Sequence, residues 1–260
     1  MIYKETKLLG ATLREYILDN SPEIDINRKR PAVLVCPGGG YSMVSDREAE
    51  PVAMKFLSNG YSAFVLTYSV EPIGYPTQLL QAAKSIAYIR ENAEEYNIHN
   101  DKILVCGFSA GGHLAANIGT LWEDEIIKKE LGLKRGECKP NGMILAYPVI
   151  TCDEKGHKGS FDNLVGAGDK SLYQKLSAEK QVSKNTPPAF IWHTFNDGTV
   201  PVENSLLFAA ALAENNIPFE LHIFSDGVHG LSLCTEVTKV VNKRCEVWMD
   251  LCLKWIEENF

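Results

Sequence analysis

The 260 residues carry 26 basic and 33 acidic side chains, a formal net charge of −7, with 45% hydrophobic and 23% charged residues. This is the balance of a globular chain with a sizeable core, and its acidity excludes a general attraction for nucleic acid or anionic membrane surfaces. No stretch approaches the ~18 uninterrupted apolar residues of a membrane span.

The first seven residues, Met1-Ile2-Tyr3-Lys4-Glu5-Thr6-Lys7, lack the apolar centre of a secretory signal. The next residues, with Leu9, Ala11 and Leu13 alternating, read as an edge strand or hairpin. Arg28-Lys29-Arg30 is the densest basic run and reads as a solvated loop. From there short apolar runs alternate with helical patterns. Ala32-Val33-Leu34-Val35-Cys36 stops at Pro37 and three glycines. Residues 63–68, 103–106, 143–146 and 189–192 are similar runs, and 219–224 alternates in part. Unbroken apolar strands imply burial on both faces, as in a parallel sheet covered by helices. Between them, Leu79, Leu80, Ala83, Ile86 and Ala87 recur at helical spacing within 77–96, residues 114–121 form a second helical pattern, and Cys245, Trp248, Met249, Cys252, Trp255 and Ile256 form a stripe near the C-terminus. The fold class is therefore α/β, a mainly parallel central sheet with helices on both faces. Residues 1–260 read as one domain. The stretch 151–188 has no clear period and reads as an insertion near the sheet's functional edge.

The seven cysteines are odd in number and scattered, with no Cys-x-x-Cys pair. Cys36 and Cys106 fall in strand-like runs, Cys245 and Cys252 on a helix face. Buried free thiols in a reducing cytosol account for this better than disulfides or a zinc site, so the expected location is cytoplasmic.

Gly107-Phe108-Ser109-Ala110-Gly111 is a Gly-x-Ser-x-Gly pattern that follows a strand and opens a helix. A strand-turn-helix corner is where a nucleophilic serine is held in a strained conformation, with flanking glycines avoiding a clash. Pro37-Gly38-Gly39-Gly40-Tyr41 follows the first buried strand, and its side-chain-free N–H groups suit an oxyanion hole completed by Ala110 N–H. A phosphate loop is disfavoured because no Gly-x-Gly-x-x-Gly or Gly-Lys-Ser/Thr pattern occurs. Among six histidines, His229 lies on a late turn between the last strand and the last helix, where it reaches such a serine. His113 sits on the serine's own helix, His193 and His222 lie on strands, and His99 and His157 lie in polar loops. The orienting carboxylate belongs on the loop after the preceding strand, in the order Ser, Asp, His, which selects Asp197 over Asp226 and Glu203. Neither a metal nor an organic cofactor is required. Arg47 and Glu48 follow the glycine loop, where the pair either shapes the pocket or braces the loop through an ion pair, and bracing is the preferred reading.

These pieces resemble the acetylesterase branch of the α/β-hydrolases related to acetylxylan esterases and bacterial feruloyl esterase-like proteins. The resemblance covers nearly the whole chain. It rests on Pro-Gly-Gly-Gly-Tyr at 37–41, Ser-Asp-Arg-Glu-Ala-Glu-Pro-Val-Ala at 45–53 and Cys-Gly-Phe-Ser-Ala-Gly-Gly-His-Leu-Ala at 106–115. Val-Pro-Val-Glu-Asn-Ser at 200–205 and His-Gly-Leu-Ser-Leu at 229–233 complete it. Related esterases carry His where this chain has Pro37. The resemblance implies an α/β-hydrolase fold, Gly39 and Gly40 as oxyanion donors beside Ala110, and removal of acetyl groups from sugars or short xylo-oligosaccharides. The implied partner is a small ester, with neither nucleic acid nor membrane, and the sequence permits a homodimer. Two alternatives stay open: amide hydrolysis by the same three residues, as in a formamidase or peptidase, and a non-catalytic binding module on this fold.

Overall fold

Strand residues alternate between two separate apolar layers, which explains why the strands read as unbroken runs. The computed structural model describes residues 1–166 and 171–260. Eight strands form one sheet in the order β1-β2-β4-β3-β5-β6-β7-β8. They are β1 (Ile2–Leu8), β2 (Ala11–Ile17), β3 (Arg30–Cys36), β4 (Ser62–Thr67), β5 (Ile98–Phe108), β6 (Gly142–Ala146), β7 (Ala189–Thr194) and β8 (Phe219–Phe224). The β1–β2 hairpin joins β4 antiparallel, and every pairing from β4 to β8 is parallel. On one face Leu34, Val105, Leu145 and Ile191 pack with α2 (Thr77–Glu91), α3 (Ala110–Leu121) and α7 (Glu203–Glu214). On the other, Val35, Cys106, Ile144 and Trp192 pack with α1 (Glu50–Ser58) and α8 (Trp248–Asn259). Removing one such Leu or Phe from water stabilises the fold by about 2 kcal/mol. Strands covered on both faces have no polar side to show.

The expected α/β class is what the structure has, and its edges differ in detail from the sequence reading. Leu9 does not share the inward face with Ala11 and Leu13. It caps the hairpin at φ +50° and is half exposed. The inward row continues instead to the buried carboxylate of Glu15, which accepts Thr6 Oγ1–H at 2.5 Å and Tyr88 Oη–H at 3.3 Å. β5 begins five residues before its apolar run, because Arg30 pairs with Ile98 through the main chain across a polar stretch. The C-terminal helix starts at Trp248, and Cys245 lies in the turn before it.

Within 151–188 the described residues form α5 (Lys158–Val165), α6 (Leu172–Leu176) and a short 3-10 turn joined by loops, and positions 167–170 lie outside the described residues. The Asn163 amide donates to Gly40 O at 2.9 Å, which places α5 against the glycine loop. All seven cysteines are free thiols, and six of them are buried. Among the described residues no helix is long and apolar enough to cross a membrane.

Candidate active site

Because β3, β5, β7 and β8 are parallel, their carboxyl ends open at one edge of the sheet, where ligands of such folds bind. The loops leaving them carry Gly38–Gly40, Ser109, Asp197 and His229.

Ser109 sits between β5 and α3 at φ +53°, ψ −118°. A non-glycine residue there costs roughly 1–3 kcal/mol and persists only where its surroundings enforce it. Three main-chain bonds do so: Ser109 N–H to Ala146 O, and Val149 N–H and His113 N–H to Ser109 O, each 3.0 Å. The crossing of strand and helix leaves no room for side chains. A Cβ on Gly107 would stand 2.1 Å from Gly111 O, and one on Gly111 would stand 2.0 Å from Cys36 O.

Ser109 Oγ lies 2.8 Å from His229 Nε2, and His229 Nδ1 lies 2.6 Å from Asp197 Oδ2. An ionised carboxylate only accepts, so Nδ1 carries the proton and Nε2 is left to accept from the serine hydroxyl. The other oxygen, Asp197 Oδ1, accepts the N–H groups of Thr199 and Val200 at 2.9 Å. Burial pushes this carboxyl up, but hydrogen bonds from His193 and His229, the charge of His229 and the Val200 N–H outweigh it. The net result holds Asp197 well below the ordinary carboxylate range.

His193 is an unanticipated neighbour of this carboxylate. It is fully buried, with Nε2 at 3.0 Å from Val200 O and 3.4 Å from Asp197 Oδ2, while Nδ1 meets Ser205 Oγ at 2.7 Å. Its spacing of four from Asp197 in a turn was the only signal for it. The competing acids stand elsewhere: Asp226 accepts from the Asn196 amide at 2.6 Å, and Glu203 pairs with Lys155 at 3.3 Å.

The glycine loop packs close to Ser109. Gly38 N–H is already used, donating to Glu48 Oε2 at 2.8 Å. Gly39 (φ +126°) and Gly40 (φ +64°) take up left-handed conformations, and neither N–H has an acceptor among the described residues. Ala110 N–H is at the first position of α3, where a helix leaves donors without internal partners. Pro37 offers no N–H, and its carbonyl accepts Tyr68 Oη–H at 2.6 Å. Further round the loop, Tyr41 Oη donates to His113 Nδ1 and His113 Nε2–H to Leu176 O, both 2.8 Å. Burial pushes the His113 imidazole down to about 4. The expected ion pair between Arg47 and Glu48 does not form. Consecutive residues on a helical turn point apart, and Glu48 turns inward to Gly38 while Arg47 is exposed at the rim.

A cavity of about 170 Å³ is lined by Gly39, Met43, Arg47, Ser109, Thr199 and His229, among others. A groove of about 590 Å³, with Asn196, Asp226, Val228 and Val241 on its walls, also includes Thr199 and His229. A further cavity of about 550 Å³ around Trp122 and α4 (Glu125–Leu131) shares no lining residue with either. The His157 imidazole, whose Nδ1 lies 2.8 Å from Ser160 Oγ, is lowered by burial and then by the charge of His229, so the 151–188 segment lies within electrostatic reach of His229. Among the described residues no group of three or more His, Cys, Asp or Glu could hold a metal ion.

The BD-FAE family model matches residues 21–212. The chain belongs to the BD-FAE family. The matched segment takes in Ser109 and Asp197 and ends before His229. The chain is 41% identical over 217 residues to endo-1,4-beta-xylanase B of Butyrivibrio fibrisolvens, covering 80% of this chain and 33% of that protein. It is 31% identical over 211 residues to acetylxylan esterase of Xylanibacter ruminicola, covering 78% of this chain and 42% of that protein. The chain thus spans well under half the length of these two relatives. Among solved structures, the acetyl ester-xyloside bifunctional hydrolase from Caldicellulosiruptor lactoaceticus superposes with a TM-score of 0.84 at 42% identity, over 95% of this chain and 88% of that one. The fold is that of the α/β-hydrolases.

Proposed function

We propose that this chain is a serine carboxylic-ester hydrolase that removes acetyl groups from sugars, short xylo-oligosaccharides above all. The observation that carries the reading is the hydrogen-bonded run from Asp197 through His229 to Ser109, at 2.6 and 2.8 Å. In this reading His229 Nε2 takes the Ser109 proton as Oγ attacks the ester carbonyl. Gly39, Gly40 and Ala110 N–H groups stabilise the oxyanion. His229 then gives the proton to the departing sugar hydroxyl, leaving an acetyl-serine, and activates the water that releases acetate.

Two further facts support the substrate class. The leaving alcohol takes its proton from His229 Nε2, which faces Ser109 Oγ, and the small cavity is open to solvent beside both residues. The cavity at Gly39 is small, about 170 Å³, which suits a short acyl group. The related proteins named for acetylxylan and acetyl ester-xyloside hydrolysis are in keeping with both. We read residues 1–260 as one catalytic unit in which α5 is tied to the glycine loop by the Asn163 bond to Gly40 O. Seven free thiols support a reducing compartment, the cytoplasm.

The test is hydrolysis of p-nitrophenyl esters from acetate to octanoate, followed by acetylated xylobiose against a formylated aromatic amine. A steep fall after acetate and turnover of the sugar ester are expected. A flat or rising profile with acyl length would end the acetyl-sugar assignment, and preference for the formyl amide would move the activity to amide hydrolysis.

A further inference from the structure

Glu48 is a buried carboxylate, 2% exposed, in the wall of the small cavity, and no cation pairs with it among the described residues. Burying a charge without a counter-ion is costly, and an apolar side chain would fill the space more cheaply. What Glu48 does have is a donor on each oxygen. Oε2 accepts Gly38 N–H at 2.8 Å, and Oε1 accepts Tyr147 Oη–H at 2.7 Å. The Tyr147 hydroxyl in turn accepts Ser232 N–H at 2.8 Å, so its proton is committed to Glu48. Ser232 Oγ–H donates to Arg47 O at 2.5 Å. The Tyr147 ring meets His229 edge-on, with centroids 5.1 Å apart and planes at 71°. Space at Gly38 is closed: a Cβ there would lie 2.7 Å from Glu48 Oε2 and 2.9 Å from Ser109 Cβ.

We propose that Glu48 is a positioning residue that holds the glycine loop and the His229 loop in one fixed relation about Ser109. It does so through Gly38 N–H on one side and Tyr147 on the other. This rests on the reading of Ser109 and the glycine loop as nucleophile and oxyanion donors. By engaging Gly38 N–H, Glu48 fixes the Pro37–Gly38 peptide at the entry to the loop, so the next two N–H groups stay directed to substrate. Through Tyr147 it fixes the surface against which the His229 ring lies. Two acceptor oxygens are required, because both neighbours can only donate to it. A glutamine keeps one acceptor oxygen for Gly38 N–H, and its NH2 can meet Tyr147 Oη only by donating to it, so the buried Tyr147 O–H loses its acceptor. Tyr68 holds the loop at Pro37 O and Asn163 at Gly40 O, and between these two points Glu48 takes the Gly38 N–H.

The experiment compares Glu48→Gln, Tyr147→Phe and Ser109→Ala in the full chain, each checked for folding by thermal midpoint. Hydrolysis of p-nitrophenyl acetate is measured together with inhibition by an alkyl trifluoromethyl ketone. That ketone adds Ser109 Oγ to its carbonyl carbon, passes the serine proton to His229 and leaves its oxygen as the oxyanion. Loss of one oxyanion donor lowers rates by about 10²–10³-fold, so Glu48→Gln is expected to lower kcat/KM by about 100-fold and weaken the ketone in parallel. Tyr147→Phe, which keeps the Gly38 bond, is expected to lower kcat/KM by about 10-fold with a smaller change in ketone affinity. A folded Glu48→Gln within threefold of the parent overturns the proposal, as does a fall in kcat/KM with unchanged ketone affinity. If Glu48→Gln does not fold, Tyr147→Phe decides: activity within threefold of the parent overturns it. Activity retained by Ser109→Ala removes the underlying site reading instead, which keeps the two failures apart.

Discussion

On one side of the Ser109 hydroxyl, Asp197 and His229 leave the ends of the adjacent strands β7 and β8 and meet through side-chain bonds of 2.6 and 2.8 Å. On the other side, the loop after β3 offers main-chain N–H groups, and the side chains that hold it come from Glu48, Tyr68, His113 and Asn163. The first side is assembled by sheet register, which brings strand ends together whatever the rest of the surface does. The second depends on several long-range bonds, each to a different segment. Damage to the first should therefore remove chemistry and leave the fold, whereas damage to the second should scale with how far the loop moves.

The largest effects belong to the side-chain run. Ser109→Ala is expected to lower kcat by about 10⁴–10⁶-fold with an unchanged thermal midpoint. Asp197→Asn should cost about 10³–10⁴-fold, since an amide can donate to His229 Nδ1 and turn the proton onto the wrong nitrogen. Near-normal activity of Asp197→Asn at pH 8 would move the acid role to another residue.

An intermediate effect separates neighbouring glycines of the loop. At Gly39 (φ +126°) a Cβ would stand 2.2 Å from Met43 O, whereas at Gly40 (φ +64°) the nearest atom is 3.9 Å away. Gly39→Ala must displace main chain and is expected to lower kcat by about 10²-fold, the size of a lost oxyanion donor. Gly40→Ala carries only left-handed strain, roughly 1 kcal/mol, and should stay within about 10-fold. Equal kinetics for the two would mean that the loop tolerates movement, against the comparison above.

A last effect is on stability and leaves the chemistry at Ser109 aside. His113 Nε2–H donates to Leu176 O and Nδ1 accepts from Tyr41, so the buried ring is neutral and protonation would destroy an acceptor. Its folded-state value of about 4 lies below the ordinary ~6.5 of an unfolded chain, so the unfolded state takes up the proton first. Stability is thus complete above about pH 6.5 and is lost as pH falls towards about 4, by roughly 3 kcal/mol from this group. Urea midpoints between pH 7 and 4 should show the loss, and His113→Asn should flatten it. An unchanged slope in that variant would place the acid sensitivity in other groups.

The strands were legible because burial on both faces removes polar residues from them, and the edges were less so. The polar start of β5 pairs through main chain alone, and Leu9 is a hairpin tip whose position in an alternating row was accidental. In the site, Ser109, Asp197 and His229 could be placed from motif and chain order, since each needs only the end of a strand. Glu48 was paired with the wrong partner because adjacent charges invite an ion pair, while the helical turn faces them apart. Tyr147 carries no motif, and nothing local shows that its hydroxyl reaches Glu48, 99 positions away in sequence.

By itself, the amino-acid sequence determined the α/β layering, the strained corner at Ser109, the glycine loop and the chain order in which Ser109, Asp197 and His229 come to the strand ends, because periodicity and turn chemistry are local. Only the tertiary structure decided that His193 shares the Asp197 carboxylate, that Glu48 holds Gly38 and Tyr147 at once, and that α5 lies against Gly40. Those bonds join segments far apart in the chain, where each buried donor or acceptor takes the partner that packing of the sheet and its helices brings within reach.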